Sequence, residues 1–121
     1  MGGLLEALQL PSVDVEGSLR RFGQNAGMYE RFLLRFLEDP NFKAIGAALD
    51  AEDWEAMLSA AHTLKGVAGN LGMRRLFDAC GQTVRHLRAN DRASARASYA
   101  ELEAAYLEVC GPLQSYKEKR A

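Results

Sequence analysis

The chain has 121 residues, with 15 Lys and Arg against 16 Asp and Glu. That is the length of one domain, without the basic surplus that binding a nucleic-acid backbone demands. Two cysteines, Cys80 and Cys110, are too few for a disulfide scaffold and are not spaced as a metal or redox pair, which points to a reducing compartment. No apolar run approaches the ~20 residues of a membrane span and no basic-then-apolar leader opens the chain, so the expectation is a cytoplasmic protein that engages neither membrane nor nucleic acid.

Alternating β-branched runs are absent, and Ala, Leu, Arg and Glu dominate, so the expected class is all-α. Asp14 is suited to cap a short first helix that carries Val15, Leu19 and Phe22 on one side and ends before Gly23. A second helix begins near Ala26 and carries Met28, Phe32, Phe36 and Leu37 until Pro40 breaks it. Helical spacing resumes with Phe42, Ile45 and Leu49. The stretch "LDAEDW" supplies a turn, with Asp50 as candidate cap of the third helix, which runs through "SAAHTLKGVAGNLG". Met73 to Ala89 makes the fourth, with Met73, Leu76, Phe77, Cys80, Val84 and Leu87 in one stripe. After the turn "RANDRA" the last helix carries Ala95, Tyr99, Leu102, Tyr106, Val109 and Leu113, with a bend expected at Gly111-Pro112. Short connections and apolar stripes predict an antiparallel four-helix bundle with a short additional N-terminal helix. The domain is expected to be single, residues 1–121, with its core at about 13–115.

The third helix contains an anomaly. A glycine inside a helix costs about 1 kcal/mol relative to alanine, yet Gly66 and Gly69 both follow His62. On a helical wheel with Ala61 at zero, Trp54, Met57, Leu58, Leu64, Ala68 and Leu71 fall within roughly 80° and form a core-facing stripe. His62 stands at about 100°, just outside it, with Gly69 near ~80°, Gly66 near ~140° and Lys65 near ~40°. The glycines therefore read as clearing an open patch beside the imidazole. The Lys65 stem can lie along apolar surface and bring its ammonium to the ring from one turn away. An imidazole is a competent nucleophile near neutral pH, an ammonium stabilises an incoming phosphoryl oxygen, and phosphoryl transfer needs little beyond positioning and charge. On the fourth helix Arg74, Arg85 and Arg88 share one flank with Gly81. The plain reading is a solvated face; turned toward His62, the flank would offer an acidic partner surface a basic rim.

The run "HTLKGVAGNLG", His62 to Gly72, resembles the signature of histidine phosphotransfer (HPt) domains: His, two residues, Lys-Gly, small residues, Gly, an apolar residue and Gly. Upstream, "VDVEGSLRRFGQNAGMYERFLLRFLED" resembles the opening helices of HPt domains from bacterial hybrid sensor kinases, and "DWEAMLSAAHTLKG" resembles their approach to the histidine. The resemblance spans about Val13 to Leu107. It implies a helical bundle whose exposed histidine accepts a phosphoryl group from a receiver-domain aspartate and passes it to another. Carried over by position, His62 is the phospho-acceptor, Lys65 its charge partner, and Gly66 and Gly69 docking positions; Asn70 and Gly72 match the structural end of the motif. Arg85 and Arg88 are the candidate docking rim. The implied partners are response-regulator receiver domains, with a hybrid sensor histidine kinase as a further candidate. The implied protein is a monomer without a cofactor of its own, the Mg²⁺ belonging to the receiver. One departure stands out. Family members commonly place a polar residue on the next helix to hydrogen-bond the histidine ring, and the aligned position is Val84; Gln82, Arg85 or water are the alternatives.

"GVAGNLG" lacks the GxxxxGK[ST] phosphate loop, so the expectation is a phosphoryl carrier with no ATP site. The alternative is a module that binds receivers without transfer. A metal or haem site in a bundle asks for several inward ligands at (i, i+3) or (i, i+4), whereas the two histidines, His62 and His86, lie on different helices. Cys80, Cys110, Trp54, Tyr99 and Tyr106 read as core residues.

Overall fold

The computed structural model describes residues 3–8, 10 and 12–120; Met1, Gly2 and Ala121 of the expected domain lie outside them. The helices are α1 (Leu4–Ala7), α2 (Val15–Arg21), α3 (Ala26–Arg35), which runs into a 3-10 turn (Phe36–Glu38), α4 (Asn41–Asp50), α5 (Trp54–Asn70), α6 (Arg74–Arg88) and α7 (Arg92–Arg120). Four of their starts are chemically marked. Side-chain oxygens of Asp14, Asn25, Asp53 and Asp91 accept from the amides of Gly17, Met28, Ala56 and Ser94 at 2.9, 2.9, 3.1 and 3.1 Å, each cap being worth about 1 kcal/mol. The cap of α5 is therefore Asp53, not Asp50. Asp50 remains in the last turn of α4, and the chain reverses through Glu52 in the left-handed region at φ 53°.

The expected bundle is present. α4 packs on α5, α5 on α6 and α6 on α7, and α7 returns to α3 and α4. Three-residue connections at 51–53, 71–73 and 89–91 make these neighbours antiparallel. The core is built from Ile45 and Leu49 on α4, Met57, Ala61 and Leu64 on α5, Leu76, Cys80 and Val84 on α6, and Leu102, Val109 and Leu113 on α7. It reaches beyond the expected 13–115, because Leu4 and Leu8 are fully buried where α1 packs on α7. At the other end α7 continues through Gly111-Pro112 without ending.

The face that α3 buries differs from the expected one. Tyr29 and Leu33 are inside, and Met28 and Phe32 are exposed. The phenol of Tyr29 reaches the end of α5 and donates to the Leu71 carbonyl at 2.7 Å, while its ring packs on Phe22 at 5.3 Å. A tyrosine that satisfies its hydroxyl can be buried whole, and this bond decides which side of α3 turns inward.

The α5–α6 connection is the tightest joint. Gly72 lies at φ 76°. Met73 N–H donates to the Ala68 carbonyl at 2.9 Å and Gly72 N–H to the Gly69 carbonyl at 3.3 Å, the paired closure that ends a helix on a left-handed residue. The segment before α2 then crosses this turn. Asp14 N–H donates to the Gly72 carbonyl at 2.8 Å, and Arg74 N–H to the Ser12 carbonyl at 2.7 Å. A Cβ at position 72 would stand 2.6 Å from the Asp14 carbonyl oxygen. The Arg21 guanidinium donates to the carbonyls of Gly69 and Asn70 at 3.2 and 3.3 Å, adding a second donor to the first and supplying one to the second.

Ion pairs brace the periphery. Arg75 on α6 bridges Glu101 and Glu108 on α7 at 2.8 and 2.7 Å, and the Ser12 hydroxyl donates to Glu108. Arg74 pairs with Asp14 at 3.1 Å. These carboxyls sit below their ordinary values: Asp14 through the Gly17 amide and then Arg74, Glu101 through Arg75, Glu108 through Ser12 and then Arg75.

Two outcomes are expected. Gly72→Ala combines a left-handed strain with a backbone clash and should cost at least about 2 kcal/mol, read from urea unfolding midpoints. Because the native carboxyls hold protons less tightly than the unfolded ones, their contribution is complete above the ordinary 4.5 of a glutamate and disappears as pH falls through the lower native values. Unfolding midpoints should therefore stay level from neutral pH to about 5 and fall progressively below about 4.

Candidate functional site

Turning Met57, Ala60, Ala61, Leu64 and Ala68 into the bundle leaves His62, Thr63, Gly66 and Asn70 on the outer side of α5. His62 is exposed, and among the described residues no side chain hydrogen-bonds its ring. Thr63, beside it, turns its hydroxyl back to the Ser59 carbonyl at 3.0 Å. One turn on from His62, Gly66 presents bare backbone: a Cβ there would meet nothing within 4 Å.

Gly69 behaves otherwise. Its missing side chain is replaced by the Phe77 ring, two of whose carbons would stand 3.0 and 3.1 Å from a Cβ at that position. The glycine is a filled notch between α5 and α6, not part of a cleared patch. Phe77 is 38 % exposed, so it does not belong to the core stripe in which spacing placed it.

Lys65 is half-buried and lies three residues from His62, so the two share a helix face. Its stem crosses α6 above Gly81, with Cε 3.6 Å from the point where a Cβ of Gly81 would be. Its Nζ lies 5.2 Å from the centre of the Phe77 ring. Arg85 Nη1 is 3.8 Å from the same point above Gly81, so Arg85 shares this groove. Arg88 is exposed one turn further along α6. Among the described residues Lys65, Arg85 and Arg88 form no ion pair, whereas Arg74 is held by Asp14. The basic rim therefore narrows to Arg85 and Arg88.

These contacts share one register. Gly69 and Phe77 are equidistant from Met73, as are Lys65 and Gly81; continuing by one turn sets His62 at the level of Val84. Val84 is 2 % exposed and gives the imidazole no polar partner. Gln82 lines a groove of about 700 Å³ between α6 and α7, together with His86 and Ser98, and so faces away from His62. Arg85, the next residue after Val84, is exposed and reaches the groove above Gly81. On the α3 side, Phe32 lines a groove with Val67, Asn70 and Leu71, so an exposed ring stands on each side of the outer strip of α5, Phe32 and Phe77.

Phe77 and Gly81 are the site residues that sequence reasoning passed over. Their signal is the alternation of small against large across the Gly72 turn, Gly69 with Phe77 and Gly81 with Lys65. The Cys80 thiol beneath Lys65 is pushed up to about 12, burial outweighing the Lys65 charge, and is inert as a nucleophile. Among the described residues no group of three His, Cys, Asp or Glu side chains converges as metal ligands would.

A solvent-facing imidazole, bare backbone one turn away and cations without counter-ions suit the approach of an anionic group carried on another macromolecule. Comparison with known families agrees. The model described as Hpt domain matches residues 28–111, from α3 into α7, and includes His62, Lys65, Gly66 and Phe77. Searches of curated proteins and of solved structures return no match at the significance required. With well over half of its length matched, the chain belongs to the Hpt domain family, whose members serve histidine phosphotransfer in phosphorelays.

Proposed function

We propose that His62 is the phospho-acceptor of this domain and relays a phosphoryl group between aspartates of two receiver domains. The observation that carries the reading is the exposed imidazole beside bare Gly66, with Lys65 held in the adjoining groove. The lone pair of an imidazole nitrogen attacks the phosphorus of the receiver's aspartyl phosphate. The N–P bond forms as the bond from phosphorus to the aspartate oxygen breaks, and the aspartate leaves as a carboxylate. Onward transfer is the same step reversed on a second receiver. Lys65 meets the non-bridging oxygens as charge accumulates on them. Gly66 lets the receiver backbone close on α5, and Arg85 and Arg88 face its acidic surface. Gly69 contributes by leaving the receiver-facing strip of α5 without a side chain of its own, the Phe77 ring filling the space beside it.

The domain is proposed to act as a cytoplasmic monomer and to bring no cofactor; the Mg²⁺ needed for transfer is the receiver's. Among the described residues no helix is long and apolar enough to cross a membrane.

The test is transfer from receiver domains charged with labelled acetyl phosphate. Acid-labile, alkali-stable label should appear on the parent protein and be absent from His62→Gln. Receiver binding without any labelling of the parent would replace this reading by that of a docking module. Lys65→Ala should slow transfer at least about tenfold with the helical fold intact by circular dichroism. Gly66→Leu should raise helix stability by up to about 0.8 kcal/mol and yet abolish transfer, a pairing that loss of structure cannot produce.

A further inference from the structure

We propose that Phe77 is a positioning residue for the Lys65 ammonium, an inference that rests on the reading of His62 as phospho-acceptor. The Lys65 stem passes over the bare backbone of Gly81, and its Nζ ends 5.2 Å from the centre of the Phe77 ring. The ring is fixed in turn. Gly69 admits it so closely that a side chain there would stand 3.0 Å away. Gly81, Phe77 and Gly69 thus form a cradle in which one glycine makes room for the stem, the ring meets the charge and the second glycine seats the ring.

The chemistry of the cradle matters as much as its shape. A free lysine side chain carries about 2 kcal/mol of rotamer entropy, so an unrestrained ammonium spends much of its time away from any one place. A carboxylate would confine it and also neutralise it. No carboxylate pairs with Lys65 among the described residues. An aromatic face attracts the ammonium through its quadrupole without supplying a counter-charge. The cation stays localised beside α5 with its charge intact for phosphoryl oxygens. Phe77 acts through Lys65 and touches neither phosphorus nor imidazole. A plain docking role for this partly exposed ring would instead change the half-saturating concentration.

The test uses the receiver that, from a panel charged with acetyl phosphate, labels the parent fastest. Single-turnover transfer is measured against protein concentration for Phe77→Leu, which keeps apolar volume but removes the aromatic face, and for Phe77→Tyr, which keeps both. Phe77→Leu should lower the maximal rate about two- to fivefold with the half-saturating concentration unchanged, and Phe77→Tyr should match the parent. In a Lys65→Ala background the leucine substitution should have no further effect. In the free protein, the Hε resonances of Lys65 should carry a ring-current displacement that Phe77→Leu abolishes. An unaltered rate in Phe77→Leu, a change confined to half-saturation, or an effect that persists without Lys65 overturns the proposal while transfer by the parent leaves the function of His62 standing. Absence of label on the parent overturns both, even with the ring-current signature present.

Discussion

The left-handed turn at Gly72 determines where α6 meets α5. Its carbonyl and the neighbouring amide of Arg74 are engaged by the segment entering α2, so the joint is closed from three directions: α5, α6 and the strand-like crossing of Ser12 to Asp14. Helices rise by the same ~1.5 Å per residue, so a register fixed at the turn persists along both. That is why Gly69 faces Phe77, and why Gly81 lies under Lys65 two turns from the hinge. It is also why a buried valine stands level with His62. The geometry around the imidazole is inherited from a glycine ten residues away.

Glycine serves this site in three different ways. Gly66 is empty space, Gly69 is a seat for a ring and Gly81 is a floor for a lysine stem. At Gly69 the helix-propensity penalty is set against the contact with Phe77 and at Gly81 against the path of the Lys65 stem, whereas Gly66 gains no such contact within 4 Å. Electrostatics follow the same division. Acidic groups of α7 are drawn to Arg75, and Asp14 to Arg74. Lys65, Arg85 and Arg88 form no ion pair among the described residues.

Much of this was legible in the residues, and the failures have physical causes. The His62 helix was readable because its small and apolar residues repeat with a 3.6-residue period and its polar residues do not. The bundle followed from stripes and short turns. Spacing alone cannot choose the α3 face, because Met28, Phe32 and Phe36 satisfy it as well as Tyr29, Leu33 and Phe36 do; the partner of the Tyr29 hydroxyl, the Leu71 carbonyl, is a long way off in sequence. Spacing puts Phe77 in the core stripe because a single helix cannot reveal that its neighbour offers a notch at Gly69. Asp50 and Asp53 are both sound caps in isolation, and the choice depends on where α4 stops. α1 has one turn, too short for any period to show.

The indole at the head of α5 has a consequence of another kind. Trp54 is the single tryptophan of the sequence, and the guanidiniums of Arg92 and Arg96 lie over it at 5.7 and 5.6 Å, with Arg96 also reaching Glu52. It stands eight residues before His62, about 12 Å along the helix axis, outside the footprint of Gly66 and Phe77. The molecule thus carries a native fluorophore clamped between the beginnings of α5 and α7. Parting of those two helix ends would strip the guanidiniums from the indole, so its emission is placed to follow that end of the bundle and not the imidazole.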